Sequence, residues 1–278
     1  MLAFGRASLR PSHAAGGVAS GAESTPGSAA FASGVAQTSP TAHARLDLQD
    51  AGSEAALRAL RIIADARAAY GACDTYEDHG TYDEVFRADA GFTRTKEFRT
   101  VFAGPGAIRF AYRELPSEFN PEEFNQLVVG DAGTYSYSFH AAAPERGESL
   151  EMAVAGMTGI SGGLVIDILP LLQTGLSVPS ALDMEDARVI GAEDVDGTPC
   201  DIIEAVSRPA APEHVRVWIA QSDSLIRRLS EDDVVPAEEL RKMGSSDDPH
   251  STFTTVTFHP KCNEPVAPES LRATDGSL

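Results

Sequence analysis

The sequence predicts an α+β fold in which a curved antiparallel sheet carries an N-terminal helix and an inserted pair of apolar helices. Three observations predict it. Period-two alternation recurs along the chain, as in Val215-Arg216-Val217-Trp218-Ile219, where Val215, Val217 and Ile219 share one strand face. The links between such runs are short and polar, as in Gln221-Ser222-Asp223-Ser224 ahead of Leu225-Ile226-Arg227-Arg228-Leu229, which makes neighbouring strands antiparallel. From Glu148 to Gln173 the period changes to helical composition, almost without charge.

The elements follow in order. Residues 1–46 are rich in Ala, Gly and Ser, a mixture that buries too little apolar area to order itself. They are expected to form a disordered leader or linker ahead of a single domain over residues 47–278. Met1 to Arg10 contains two arginines and no apolar stretch of the ~7–15 residues that a secretory signal needs. Ser53 is an N-cap candidate with Glu54 in the first turn, and Leu57, Leu60, Ile63 and Ala64 recur at helical spacing to about Ala69. Strands are expected at Thr75 to Arg87 and Phe92 to Ala103, with Phe98, Thr100 and Phe102 on one face. After the turn Gly104-Pro105-Gly106, Ile108, Phe110 and Tyr112 alternate against Arg109, Ala111 and Arg113. Gln126 to Val129 leads through a Gly-Asp-Ala-Gly turn to Tyr135, Tyr137 and Phe139.

Helices are then expected from Glu148 to Met157 and from Leu164 to Gln173. The second has no solvated stripe, and Met152 and Met157 are adaptable fillers suited to partners of varied shape. Strands resume at Arg188-Val189-Ile190 and Asp201-Ile202-Ile203, continue through the hairpin above, and end with Thr252 to His259, after which prolines close the sheet. Pro236 to Met243 reads as a short surface helix. About ten strands result.

Composition removes several function classes. With 41 acidic against 22 basic residues, a formal charge of −19 excludes a nucleic-acid surface and a polybasic membrane anchor. No window reaches the ~18–20 apolar residues of a membrane span. Cys73, Cys200 and Cys262 have no metal-type spacing; Cys200 and Cys262 could pair if their strands are neighbours, and otherwise the three are buried free thiols. The seven histidines show no HxH or HExxH spacing, and paired carboxylates such as Glu122-Glu123 and Asp232-Asp233 lie in polar loops. No P-loop or dinucleotide fingerprint is present, so neither cofactor nor metal is expected.

One catalytic motif matches formally. Gly159-Ile160-Ser161-Gly162-Gly163 fits G-x-S-x-G, but a nucleophile elbow needs a strand before the serine, and Ser149 to Thr158 reads as helix. Ser161 is therefore expected to be structural, with a serine esterase as the least favoured reading.

Several segments, taken in order, resemble the lipoprotein-carrier superfamily of bacterial envelopes, the LolA/LolB-like proteins. They are Phe98 to Phe102 with Pro105 and Ile108-Arg109-Phe110; Val129-Gly130-Asp131-Ala132; Ser149 to Gly163; Val195 to Cys200; Val217-Trp218-Ile219 with Leu225 to Arg228; and Asn263 to Val266. The resemblance covers roughly Ser53 to Leu271. It implies a half-open barrel whose helices close over a hydrophobic cavity, in a periplasmic or envelope protein that holds acyl chains. Burial of such a chain is worth ~0.8 kcal/mol per methylene. Where the lipoprotein carriers place a functional arginine, this sequence has Gly104, which points away from specific carriage of lipoproteins.

Alternation and the resemblance together name a cavity lined by Phe98, Phe102, Ile108, Phe110, Tyr112 and Tyr137 from the strands. Met152, Met157, Leu164 and Leu169 would line it from the helical lid. The expected function is non-enzymatic binding or carriage of a lipid or acyl chain. The alternative is an envelope protein–protein interaction or sensor module with a self-filled interior.

Overall fold

Alternating side chains along consecutive runs joined by tight turns favour meander pairing, and the chain forms two such meanders, joined where its first strand pairs with one near its C-terminal end. The structure is a computed structural model describing residues 54–87, 91–104, 106–116, 123–130, 134–138, 145–147, 149–173, 175–207, 214–235, 250–272 and 278. The expected leader, the helix proposed at Pro236 to Met243 and the N-cap Ser53 lie outside the described residues.

The first element is helix α1 (Glu54–Gly71). Strands β1 (Thr75–Arg87), β2 (Phe92–Ala103), β3 (Ile108–Glu114), β4 (Glu123–Gly130), β5 (Thr134–Ser138) and β6 (Glu145–Gly147) follow. Helices α2 (Leu150–Ser161) and α3 (Leu164–Leu172) come next. The chain ends with β7 (Met184–Val195), β8 (Thr198–Ser207), β9 (His214–Ala220), β10 (Ile226–Val235), β11 (His250–Phe258), β12 (Lys261–Cys262) and a 3-10 turn over Pro268–Leu271. Every pairing is antiparallel, in the order β6-β5-β4-β3-β2-β1-β11-β10-β9-β8-β7, with β12 added to β1. The two ends of that order do not pair, so the sheet is open, as the α+β reading expected.

Sequence and structure differ in five places, the first being that the sheet does not end at Pro260, since β12 pairs with β1 beyond it. β6 had no alternation long enough to reveal it. β7 runs well beyond Arg188 to Ile190 because two register shifts, between Glu185 and Arg188 and between Val189 and Gly191, break its period. β3 is buried on both faces: Arg109 and Ala111 lie on the face away from the helices, where the Pro268–Leu271 turn packs. The cysteine pairing is also different. Cys73, just after α1, is bonded to Cys262 on β12, and the buried free thiol is Cys200.

The helices lie on one face of the sheet and share its core cluster, α2 against β4 to β6, α1 against β7, and α3 between them against α1 and α2. Trp218 turns the other way, into a small cluster with Val195, Cys200 and Ala220, and its indole N–H donates to Glu193 at 2.9 Å. Among the described residues no helix is long and apolar enough to cross a membrane.

Candidate functional site

The sheet register builds the inner face as rows. One row runs Asn125–Tyr112–Phe98–Gly80–Phe258 across β4, β3, β2, β1 and β11. The next runs Tyr137–Leu127–Phe110–Thr100–Asp78. Gly80 matters in the first row, because its missing side chain lets the Phe98 and Phe258 rings meet edge-on at 5.5 Å. Phe102 and Ile108 are paired one row further on.

Over these rows lies the α2–α3 pair. α2 begins where the Ser149 hydroxyl accepts from Met152 N at 3.2 Å, a standard N-cap. It ends at Gly162 and Gly163, both left-handed (φ 74° and 88°), which turn the chain straight into α3. Gly162 is required twice over: a side chain there would also stand 2.7 Å from the Tyr82 hydroxyl. Seven of the nine residues of α3 are buried, six of them apolar and the seventh Asp167, so it is a helix sandwiched rather than half-exposed.

Eight of the ten expected cavity residues gather here. Phe98, Phe102, Ile108, Phe110, Tyr112, Met157, Leu164 and Leu169 belong to one core cluster at 0–3% exposure, and Tyr137 packs against it. At that exposure they face almost no space that a water molecule could occupy, so the chain's own side chains fill the inner face. Met152 is a correction: it is 64% exposed on the outer side of α2. Five residues separate it from Met157, about 140° around a helix of 3.6 residues per turn, and Ala153, Val154 and Met157 form the buried stripe instead.

Ser161 is buried inside the last turn of α2, its hydroxyl between Thr158 O and Val165 N at 3.4 Å each. Helix precedes it, so the strand-to-helix turn that would expose a nucleophile is not present.

Lys96 and Asp78 are among the buried polar residues of the inner face that were missed from sequence. Lys96 is buried (1% exposed) beneath the turn between α2 and α3, and its ammonium donates to Ser161 O at 2.8 Å. It sits 4.7 Å and 5.3 Å from the ring centroids of Tyr82 and Tyr112, a cation–π cage that offsets some of the cost of burial. The signal was available: period two places Lys96 on the same face as Phe98 and Phe102. Lys96 thus ties a strand to the carbonyl end of α2, where the helix dipole favours a cation.

The second is Asp78, fully buried on β1. It accepts from the Tyr76 hydroxyl at 3.1 Å and from His259 N at 2.8 Å. Burial pushes its carboxyl up to about 7, against the opposing pull of those donors and of the Arg227 charge. The folded protein therefore holds a proton that the unfolded chain has released above its ordinary value of 3.8. The stability this contributes is present at and below about pH 4, declines as pH rises, and is gone above about pH 7, by up to about 4 kcal/mol. Asp78→Asn is expected to flatten this portion of the pH dependence. Urea unfolding of both proteins at pH 5 and pH 8 checks it, and equal pH slopes would count against it.

No family model and no curated protein matches the sequence. Solved structures do. The chain is similar to the lipoprotein LppX of Mycobacterium tuberculosis at 15% identity and a TM-score of 0.42, over 76% of this chain and 98% of that one. It is similar to the MucA/MucB complex of Pseudomonas aeruginosa at 14% identity and a TM-score of 0.40, over 78% of this chain and 61% of that one. A LolA-superfamily protein of Nitrosomonas europaea matches at 11% identity and a TM-score of 0.29, over 78% of this chain and 98% of that one.

Proposed function

We propose that the chain is a non-enzymatic binding protein for an apolar, acyl-type ligand. The ligand would lie on the inner face of the sheet once α2 and α3 move aside. The observation that carries this reading is the cover itself. A buried, largely apolar helix α3, joined to α2 by two left-handed glycines, lies with it on an aromatic sheet face, and the pair is tied down by the Lys96 ammonium at its turn. A ligand entering there exchanges one set of apolar contacts for another. At ~0.8 kcal/mol per buried methylene, an acyl chain can offset the helix contacts it displaces, which keeps uptake and release reversible. Of the ten lining residues expected from sequence, Met152 is withdrawn and the others are retained for this role. The Cys73–Cys262 bond supports an oxidising compartment such as the periplasm.

Native mass spectrometry of the purified protein is expected to reveal co-purified lipid, and N-phenyl-1-naphthylamine is expected to bind with a gain in fluorescence. Lys96→Met should speed dye uptake severalfold by freeing the turn. An unchanged uptake rate would remove Lys96 from the opening step. The filled inner face favours a second reading, an envelope interaction module whose interior never opens. A wild type that carries no lipid and takes up no dye would select that module.

A further inference from the structure

The cover and the sheet meet at a charged point. Lys96 lies on the inner face of β2, between Tyr82 on β1 and Glu114 on β3 in the sheet register, and is buried. Its ammonium donates to Ser161 O at 2.8 Å, and a side chain at Gly162 would stand 3.5 Å from it. Glu114, across the pairing, is itself engaged by Arg94 at 3.1 Å, and Arg94 also reaches Glu84 at 3.5 Å. From Lys96 the inner face continues largely apolar along the strands, past Tyr112 and Phe98, then Phe110, to Phe102 and Ile108. At ~3.3 Å per residue, the stretch of β2 from Lys96 to Phe102 spans about 20 Å. The face beneath the cover is thus a long apolar track with an ammonium at one end.

We infer that Lys96 anchors the head group of the ligand proposed above, and that this ligand is a single-chain fatty acid whose carboxylate takes the place of the Ser161 carbonyl on the ammonium. The inference rests on the proposed function. Lifting α2 and α3 carries Ser161 O and the negative end of α2 away, while Lys96 stays on the sheet among aromatic rings. Taking an acceptor from an ammonium in such surroundings is costly, so the molecule that replaces the helices is best suited if it brings one. A carboxylate oxygen is planar like the carbonyl oxygen it replaces and carries a negative charge, which shortens and strengthens the bond. Its tail would then follow the track, meeting the rings that the helices had covered. Charge balance favours a carboxylate over a phosphate. This corner already holds Glu84 and Glu114 beside Arg94 and Lys96, so one added negative charge meets less repulsion than the nearly doubled charge of a phosphate monoester.

Displacement of bound N-phenyl-1-naphthylamine from the full chain at pH 8 tests the assignment, with laurate, dodecyl phosphate and 1-monolauroylglycerol as competitors of one tail length. Each result is read as a ratio of half-displacing concentrations, so that a change in dye affinity cancels. In wild type, laurate is expected to act at a concentration at least tenfold below that of the monoacylglycerol, and below that of dodecyl phosphate. Lys96→Met should bring laurate and the monoacylglycerol within about twofold of each other, whereas Lys96→Arg, which keeps the charge, should retain most of the preference. Equal displacement by these two lipids in wild type, or a preference that survives Lys96→Met, would overturn the anchor while leaving apolar binding in place. Dodecyl phosphate acting below laurate would overturn the choice of carboxylate. A wild type that binds neither dye nor lipid would overturn the anchor together with the function it rests on.

Discussion

Gly80→Ala is expected to destabilise the protein by more than about 3 kcal/mol, at or beyond the upper end of ordinary overpacking. A Cβ at this position would stand 1.9 Å from Thr257 O and 2.7 Å from the Phe98 ring. The ring could swing away, but the carbonyl belongs to the backbone of β11, which is paired to β1 from Gly80↔Phe258 to Arg87↔Ser251. Relief of the clash must therefore pull β1 and β11 away from each other in the middle of the sheet. Urea midpoints of the variant and of wild type measure this. Shortening Phe98 in the same chain should not rescue it, since the Thr257 carbonyl remains, and an unchanged midpoint would show that the strands separate without cost.

Removing the Cys73–Cys262 disulfide, by reduction or by a Cys73→Ser/Cys262→Ser chain, is expected to cost about 5 kcal/mol in the chain-entropy account. The bond closes a sequence separation of 189 residues, and the entropy withheld from the unfolded chain grows with the logarithm of that length. Cys200 stays buried and unpaired in either protein, so it offers no substitute partner in the folded state. Equal urea midpoints with and without dithiothreitol would refute the expectation.

Much of this architecture was legible because local period and face agree. β1 and β2 begin and end where the alternation of Thr75 to Arg87 and Phe92 to Ala103 begins and ends. The α2–α3 pair was legible from its loss of charge. What stayed hidden depends on contacts far apart in sequence. Cys73 and Cys262 meet only because β12 adds to the outer end of β1, pairing Tyr76 with Cys262, and no local spacing contains that fact. Arg109 reads as a solvent-facing strand residue, yet the C-terminal turn covers its face. Met152 was assigned by composition where helical phase decides. Asp78 looked like one carboxylate among many; its burial follows from sharing a face with Tyr76 and Tyr82.

A sheet that never closes has two free margins, and each could in principle recruit a strand from another molecule. β7 forms one of them. Its two register shifts and the left-handed Asp186 (φ 53°) throw its outward N–H and C=O groups out of step, and Glu193 and Asp194 stand exposed along it. An incoming strand could match only a short stretch before losing its partners and meeting negative charge. The irregular edge thus acts as a terminator of strand addition on that side of the open sheet.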